Sequence, residues 1–198
     1  EHSTTLSSNL GVKKYLARGA FKDADVVIGV SSYQKDKILS IYKKANVLVV
    51  NNFVNDIFLE PLKEERKDGK IKIISVGNLV ERKGFKLLIN AMTKLDQRFS
   101  LTIVGDGPQK EKLRSLVNEL KLENKVSFTG SLDRISVLNK LTESDIFVSA
   151  SKIETFGIAI LEALAVGLPV VTYDNGGVRD FMIDSCGIIV KILKEAKR

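Results

Sequence analysis

The sequence predicts an α/β protein: a doubly wound parallel sheet preceded by the remnant of a second α/β domain. Three observations carry this expectation. From Ile71 to Val190, strand-like and helix-like stretches alternate without interruption, a pattern that builds parallel sheets with helices on both faces. The two strand stretches ahead of the linker are continuous apolar runs, as in Asp25-Val-Val-Ile-Gly-Val30, which suits burial on both faces of a parallel sheet. Between the two parts, Glu60 to Lys70 is charged, starts with Pro61, contains Gly69 and lacks apolar periodicity, so it reads as a linker over 61–70.

Ahead of the linker, residues 1–60 hold a helix over Leu10 to Phe21, a strand over Asp25 to Ser31, a helix over Ser32 to Lys44 and a strand over Asn46 to Asn51. Ser31 or Ser32 is the natural N-cap of the second helix. Two buried-type strands cannot supply their own cover, so this part is expected to be the tail of a larger domain. After the linker, 71–198 forms the second domain. Strands are expected at Ile71 to Gly77, Phe99 to Gly105, Lys125 to Phe128, Asp145 to Ala150, Pro169 to Tyr173 and Gly187 to Val190. Helices fall at Gly84 to Lys94, Pro108 to Leu120 (with proline in its first turn), Asp133 to Leu141 and Phe156 to Val166, with a short one at Val178 to Ile183. Lys191 to Arg198 trails off.

Composition removes several function classes. The 198 residues are 44% hydrophobic and 28% charged, an ordinary globular mixture, and no apolar run nears the ~20 residues that span a bilayer. The chain opens Glu1-His-Ser-Thr, without an initiator Met, a basic start or an apolar h-region. A cytoplasmic protein whose N-terminus lies upstream is therefore expected. One cysteine, Cys186, excludes an intrachain disulfide and a Cys-based zinc site, and the single histidine, His2, excludes a multi-His metal centre. The net charge of +7 is diffuse and Trp is absent, so nucleic acid is not an expected partner. The excess reads as a solvated basic surface, or as attraction to anionic ligands or lipid headgroups at the inner membrane face.

Three strand ends offer chemistry, since doubly wound sheets bind ligands at the carboxyl ends of their strands. Val76-Gly77-Asn78-Leu79 leads into Glu81-Arg82-Lys83-Gly84, where two cations stand before a helix and read either as an anion site or as solvated surface. Val104-Gly-Asp-Gly-Pro108 reads first as a tight turn. Glu154-Thr-Phe-Gly-Ile-Ala-Ile-Leu-Glu162 places two carboxylates around a helix N-terminus expected at Thr155-Phe156-Gly157. Ile158, Leu161 and Ala165 are expected to pack inward, with Glu162 at the rim of that face. Carboxylates for sugar hydroxyls beside amides for phosphate would suit a sugar nucleotide. Taken alone, the same pair reads as a helix-dipole cap and a surface residue.

The longer stretch from Glu154 to Thr172, with Gly176-Gly177 and Gly187-Ile-Ile-Val190, strongly resembles the C-terminal domain of GT-B fold retaining glycosyltransferases of family 4 (glycosyl transferases group 1). Val76-Gly77 with Lys83-Gly84, Val104 to Pro108, Ala24 to Ser31 and Val49-Val-Asn-Asn52 follow in the family's order. The resemblance therefore covers essentially the whole chain. It implies a Rossmann-like donor domain, C-terminally truncated, behind the last part of a Rossmann-like acceptor domain. It also implies a sugar transfer from a nucleotide-sugar donor (UDP-, GDP- or ADP-sugar) to a hydroxyl of a glycan or lipid-linked acceptor, with retention, in surface polysaccharide or glycolipid synthesis.

By the resemblance, Glu154 is the catalytic glutamate near the reacting centre of the donor sugar, and Glu162 holds the ribose. Phe156, Gly157 and Ile158 offer backbone amides to the sugar and pyrophosphate. Gly77 lets the donor approach, and Lys83 pairs with its phosphates. Where the family commonly has Gly-Arg, this chain has Gly77-Asn78, and Arg82 is the candidate replacement cation. Asp180 stands where a glutamate is common. His2 falls where the family often has a cleft histidine, although a lone terminal histidine reads first as solvated. No cofactor and no metal are expected, on the reading that the chain offers no Asp-x-Asp pair. With most of the acceptor domain missing, this chain is itself expected to be inactive. A non-catalytic nucleotide-sugar-binding module is the alternative. A dehydrogenase is disfavoured because the Gly-x-Gly-x-x-Gly fingerprint is absent.

Overall fold

A computed structural model describes residues 10–59 and 69–191. His2, most of the expected linker and the end of the chain after Lys191 lie outside the described residues. The chain divides into two compact units, Glu1–Asn52 and Phe53–Arg198.

In the first unit, helix α1 (Leu10–Asp23), strand β1 (Val27–Gly29), helix α2 (Ser32–Ile41) and strand β2 (Val47–Val49) follow one another. The strands pair in parallel, Val27 with Val47 through Gly29 with Val49. Both are shorter than their apolar runs, because outside these registers side chains replace the ladder. The amide of Asn46 donates to the Asp25 carbonyl and that of Asn51 to the Val30 carbonyl, each at 3.1 Å. Ser31, fully buried, caps α2 by accepting from the Gln34 N–H at 3.1 Å, the role its residue type favours. Ile38 and Val47 are buried, while Ile28, Leu48 and Val50 are exposed.

The second unit is built on six parallel strands: β3 (Ile71–Val76), β4 (Phe99–Val104), β5 (Val126–Gly130), β6 (Ile146–Ser149), β7 (Val170–Tyr173) and β8 (Gly187–Val190). Their order across the sheet is β5-β4-β3-β6-β7-β8, and each neighbouring pair is parallel. The chain thus winds outward from β3 in one direction, then returns to β6 beside β3 and winds outward in the other. This is the expected doubly wound fold.

Helices α3 (Phe85–Met92), α4 (Lys110–Glu119), α5 (Arg134–Thr142) and α6 (Ile158–Ala165) connect the strands. They sort into two apolar clusters. Phe85, Ile89, Leu113 and Val117 of α3 and α4 pack with Leu101 and Ile103 of β4. Leu141, Ile160 and Ala163 of α5 and α6 pack with Ile74, Phe147 and Val170. Phe58 belongs to the second cluster and is wholly buried. The short stretch before the charged segment therefore packs with the second unit, although the sequence reading groups it with the first.

Several helices start later than expected. α4 begins at Lys110, beyond Pro108, because residues 105–108 form the turn. α5 starts as its N-cap dictates, the Asp133 carboxylate accepting from the Ser136 N–H at 2.8 Å. The short helix near Val178 is a 3-10 turn over Gly177–Asp180.

Candidate functional site

The sheet order reverses between β3 and β6, the usual ligand position in such sheets, and the loops leaving the carboxyl ends of these two strands meet there. The β3 loop ends in a 3-10 turn, Glu81–Lys83, that stops at Gly84 with φ +71°. A Cβ on Gly84 would lie 2.1 Å from the Ala150 carbonyl oxygen. Only glycine lets the two loops touch there, and that contact aims Lys83 at the β6 loop. The Lys152 N–H donates to the Arg82 carbonyl at 2.8 Å. Lys83 Nζ then meets Glu154 Oε1 at 2.5 Å, with the two side chains only 18% and 10% exposed. On its other side Glu154 forms a bridge with Gly176, and its carbonyl accepts from the Gly177 N–H at 3.0 Å. Three strand-end loops therefore converge on Glu154, the β3 loop at its carboxylate and the β7 loop at its backbone.

The structure brings Lys83 and Glu154 together, as charge complementarity favours. Gly77 lies in the same loop, its N–H bonded to the Val104 carbonyl at 2.9 Å, with Lys83 beside it. Arg82 is exposed and holds the β6 loop through its carbonyl. Phe156 is buried, its ring centroid 5.0 Å from that of Phe181. Its side chain serves packing.

The expected helix start at Thr155-Phe156-Gly157 is corrected. α6 begins at Ile158, because Gly157 adopts φ +102° and breaks the helical run. Glu154 sits in extended backbone four residues ahead of the helix and is not a helix cap. The first amides of α6, at Ile158 and Ala159, have no carbonyl inside the helix to bond. The inward face is corrected in part: Ala165 packs against the core, but Ile158 is exposed, Leu161 is only half-buried, and the buried stripe runs through Ile160 and Ala163. Glu162 stands one turn above Ile158 on a shared face, half-buried. Desolvation raises its carboxyl above the ordinary range, and the Arg134 guanidinium at the start of α5 opposes this.

Sequence reasoning missed the buried polar residues that tie the loops, Ser151 and Asn175. A serine in a loop and an asparagine beside a glycine carry only a generic turn signal. It missed Arg134 as a neighbour of Glu162 as well, since only the packing of α5 on α6 reveals it. The turn after β4 keeps its bland reading. Asp106 accepts from Lys110 Nζ at 2.5 Å and from the Gly107 N–H at 2.7 Å, and the Lys110 bond first, then Gly107, holds its carboxyl below the usual range.

One concavity of about 250 Å³ lies at the amino ends of the strands beside Lys72 and Ser127, and another of about 610 Å³ lies between α3 and α4, bordered by Val80 and Glu81 of the β3 loop. An open crevice above a sheet need not enclose a volume, so topology and charge, rather than concavity, single out the site. The chain does carry one Asp-x-Asp spacing, Asp23-Ala24-Asp25, contrary to expectation. Both carboxylates are exposed, at the end of α1 in the first unit. Among the described residues no three His, Cys, Asp or Glu side chains gather as a metal site, and no helix is long and apolar enough to cross a membrane.

Residues 56–195 match the family described as glycosyl transferases group 1. The chain is similar to alpha-monoglucosyldiacylglycerol synthase of Streptococcus pneumoniae, at 30% identity over 86% of this chain and 42% of that protein. It is also similar to the lipopolysaccharide core biosynthesis glycosyltransferase LpsE of Rhizobium meliloti, at 30% identity over 87% of this chain and 51% of that protein. The chain spans about half the length of these relatives. Among solved structures, Anabaena HepE, crystallised with UDP and glucose, superposes with a TM-score of 0.80 at 22% identity, over 91% of this chain and 53% of that one.

Proposed function

The chain belongs to the glycosyl transferases group 1 family, and from that premise we propose that it carries the donor-binding half of an enzyme moving a sugar from a nucleotide-sugar donor to a hydroxyl acceptor with retention. The observation that carries this is the pairing of Lys83 with Glu154 at the reversal point of the sheet, next to the glycine-started α6. A carboxylate beside an ammonium and free helix amides suits a ligand that is a sugar at one end and a diphosphate at the other.

In this reading the bond from the anomeric carbon to the diphosphate oxygen breaks as the acceptor hydroxyl oxygen bonds to that carbon on the same face, and the hydroxyl proton leaves with the diphosphate. Lys83, the amides of Ile158 and Ala159, and the exposed Arg82 stabilise the charge that it takes on. Glu154 stabilises positive charge developing on the sugar ring, and Glu162 holds the ribose hydroxyls. Side-chain cations serve the leaving group, and the reaction is proposed to need no metal. UDP is the favoured nucleotide, since the HepE structure was obtained with UDP and glucose. GDP- and ADP-sugars are the alternatives. The lipid and lipopolysaccharide names of the relatives support a glycan or lipid-linked acceptor, and the net charge of +7 supports work at an anionic cytoplasmic membrane face.

Calorimetry on the chain with UDP, GDP, ADP and their glucose conjugates tests this. One nucleotide is expected to bind, Glu162→Ala to weaken the bare diphosphate by about 1–3 kcal/mol, and Glu154→Ala to weaken the sugar conjugate in preference to the diphosphate. Equal losses for both variants with the bare diphosphate would refute the division of roles.

A further inference from the structure

The amide of Asn175 is 5% exposed and donates through Nδ2 to the Ser151 backbone carbonyl. Its Oδ1 is buried and accepts no hydrogen bond from any described residue. A half-satisfied buried amide is a cost to the fold, and a leucine of similar size would avoid it. What the amide gains is a tie between two loops. Ser151 is fully buried and its Oγ donates to the Ile153 carbonyl at 3.1 Å, while the next residue, Lys152, bonds the Arg82 carbonyl. Immediately after Asn175, Gly176 and Gly177 bracket the backbone of Glu154. Asn175 and Ser151 thus fix both ends of the segment carrying Glu154. Because Oδ1 has almost no solvent-accessible surface, a ligand does not reach it, and the residue acts through the loop.

We propose that Asn175 is a positioning residue for Glu154: by clamping the β7 loop to the β6 loop it holds the carboxylate against Lys83. The proposal rests on the donor-site reading for its purpose, but the clamp itself is testable without a nucleotide. The experiment is amide hydrogen exchange on the chain and on Asn175→Ala, with calorimetry of UDP and UDP-glucose. In Asn175→Ala the amides of Lys152 and Gly177 should lose protection by about tenfold or more, while the β3–β4 ladder keeps its own. Affinity for UDP-glucose should fall about fivefold relative to that for UDP, and this loss should vanish when Glu154→Ala is already present, as coupling through Glu154 requires.

Unchanged protection at Lys152 and Gly177, or equal losses for the two probes, would overturn the proposal. If Asn175→Ala loses protection throughout the sheet, Asn175→Leu, which keeps the volume, replaces it. A sheet-wide loss in that variant as well would make Asn175 a general stability residue and refute the assignment. If neither probe binds the parent chain, the donor reading falls, and the exchange result still decides the clamp.

Discussion

Replacing Lys83 with methionine keeps most of the side chain's length and removes its charge. In the structure the ammonium stands 2.5 Å from Glu154 Oε1, with the two side chains 18% and 10% exposed. Exposed ion pairs contribute ~0–1 kcal/mol, whereas removing one member of a buried pair costs ~3–5 kcal/mol because it strands the other charge. With both partners mostly but not fully withdrawn from water, the expected cost lies between these, at about 2 kcal/mol. For a unit of this size that lowers Tm by roughly 4–8 °C. The internal control is Lys140→Met, since Lys140 meets Glu143 at 2.8 Å with side chains 39% and 56% exposed. That loss should stay under about 0.5 kcal/mol. Urea melts of the two variants, read by far-UV circular dichroism, give both costs on one scale. Adding Glu154→Gln to Lys83→Met should recover much of the loss, because no stranded carboxylate remains. Equal costs for Lys83→Met and Lys140→Met would show that the pair is effectively solvated, and would remove the electrostatic basis of the site.

Glu162→Gln links stability to function with a definite pH sign. Burial raises this carboxyl above its ordinary value, so the folded state disfavours the ionised form; the stability the group contributes is full below its unfolded pKa and is lost as pH rises through the folded one. The glutamine variant should be more stable than the parent at pH 7, and its advantage should vanish below about pH 4; an advantage constant across that range would contradict the desolvation account. Gly84→Ala places a methyl against the Ala150 carbonyl on a backbone of φ +71°, at a cost of about 3 kcal/mol or more. A thermal melt within about 2 °C of the parent would mean that the two loops are not in contact.

The order of elements in the second unit is legible because each strand is a short stretch rich in apolar and β-branched residues, several of them ending at glycine (Gly77, Gly105, Gly130), and because helical spacing resumes after each turn. Pairing inside the site was less so. Lys83 and Glu154 were both singled out by residue type and strand-end position, but nothing local says that they touch, since the contact depends on the reversal that brings β6 beside β3. The start of α6 lies two residues beyond the expected one because Gly157, a residue that fits either a helix or the left-handed region, takes the latter, and the local sequence does not decide between them. Asn175 and Ser151 were invisible for the opposite reason: their residue types are common in turns, and their weight comes from burial, which a linear pattern does not carry. Phe58 was grouped with the first part because the charged stretch follows it, while its burial under α5 and α6 outweighs that proximity.

The meeting of β3 with β6 has a consequence for how the site comes into being. The two strands touch at only two registers, Ile73 with Ile146 and Ile74 with Phe147, and the amino ends are latched by the Lys72 N–H on the Asp145 carboxylate at 2.8 Å. β3, β4 and β5 pair among themselves, as do β6, β7 and β8, so each half of the sheet is built mostly from local steps. The seam between the halves closes a loop of more than seventy residues, the Lys83–Glu154 bond spanning 71 positions. Loop closure of that length is entropically slow. Neither half can hold the ion pair by itself, and a chain severed between β5 and β6 would place its ammonium on one piece and its carboxylate on the other. The pair is therefore a gauge of completed assembly: it exists only where the longest-range strand pairing of the sheet has closed.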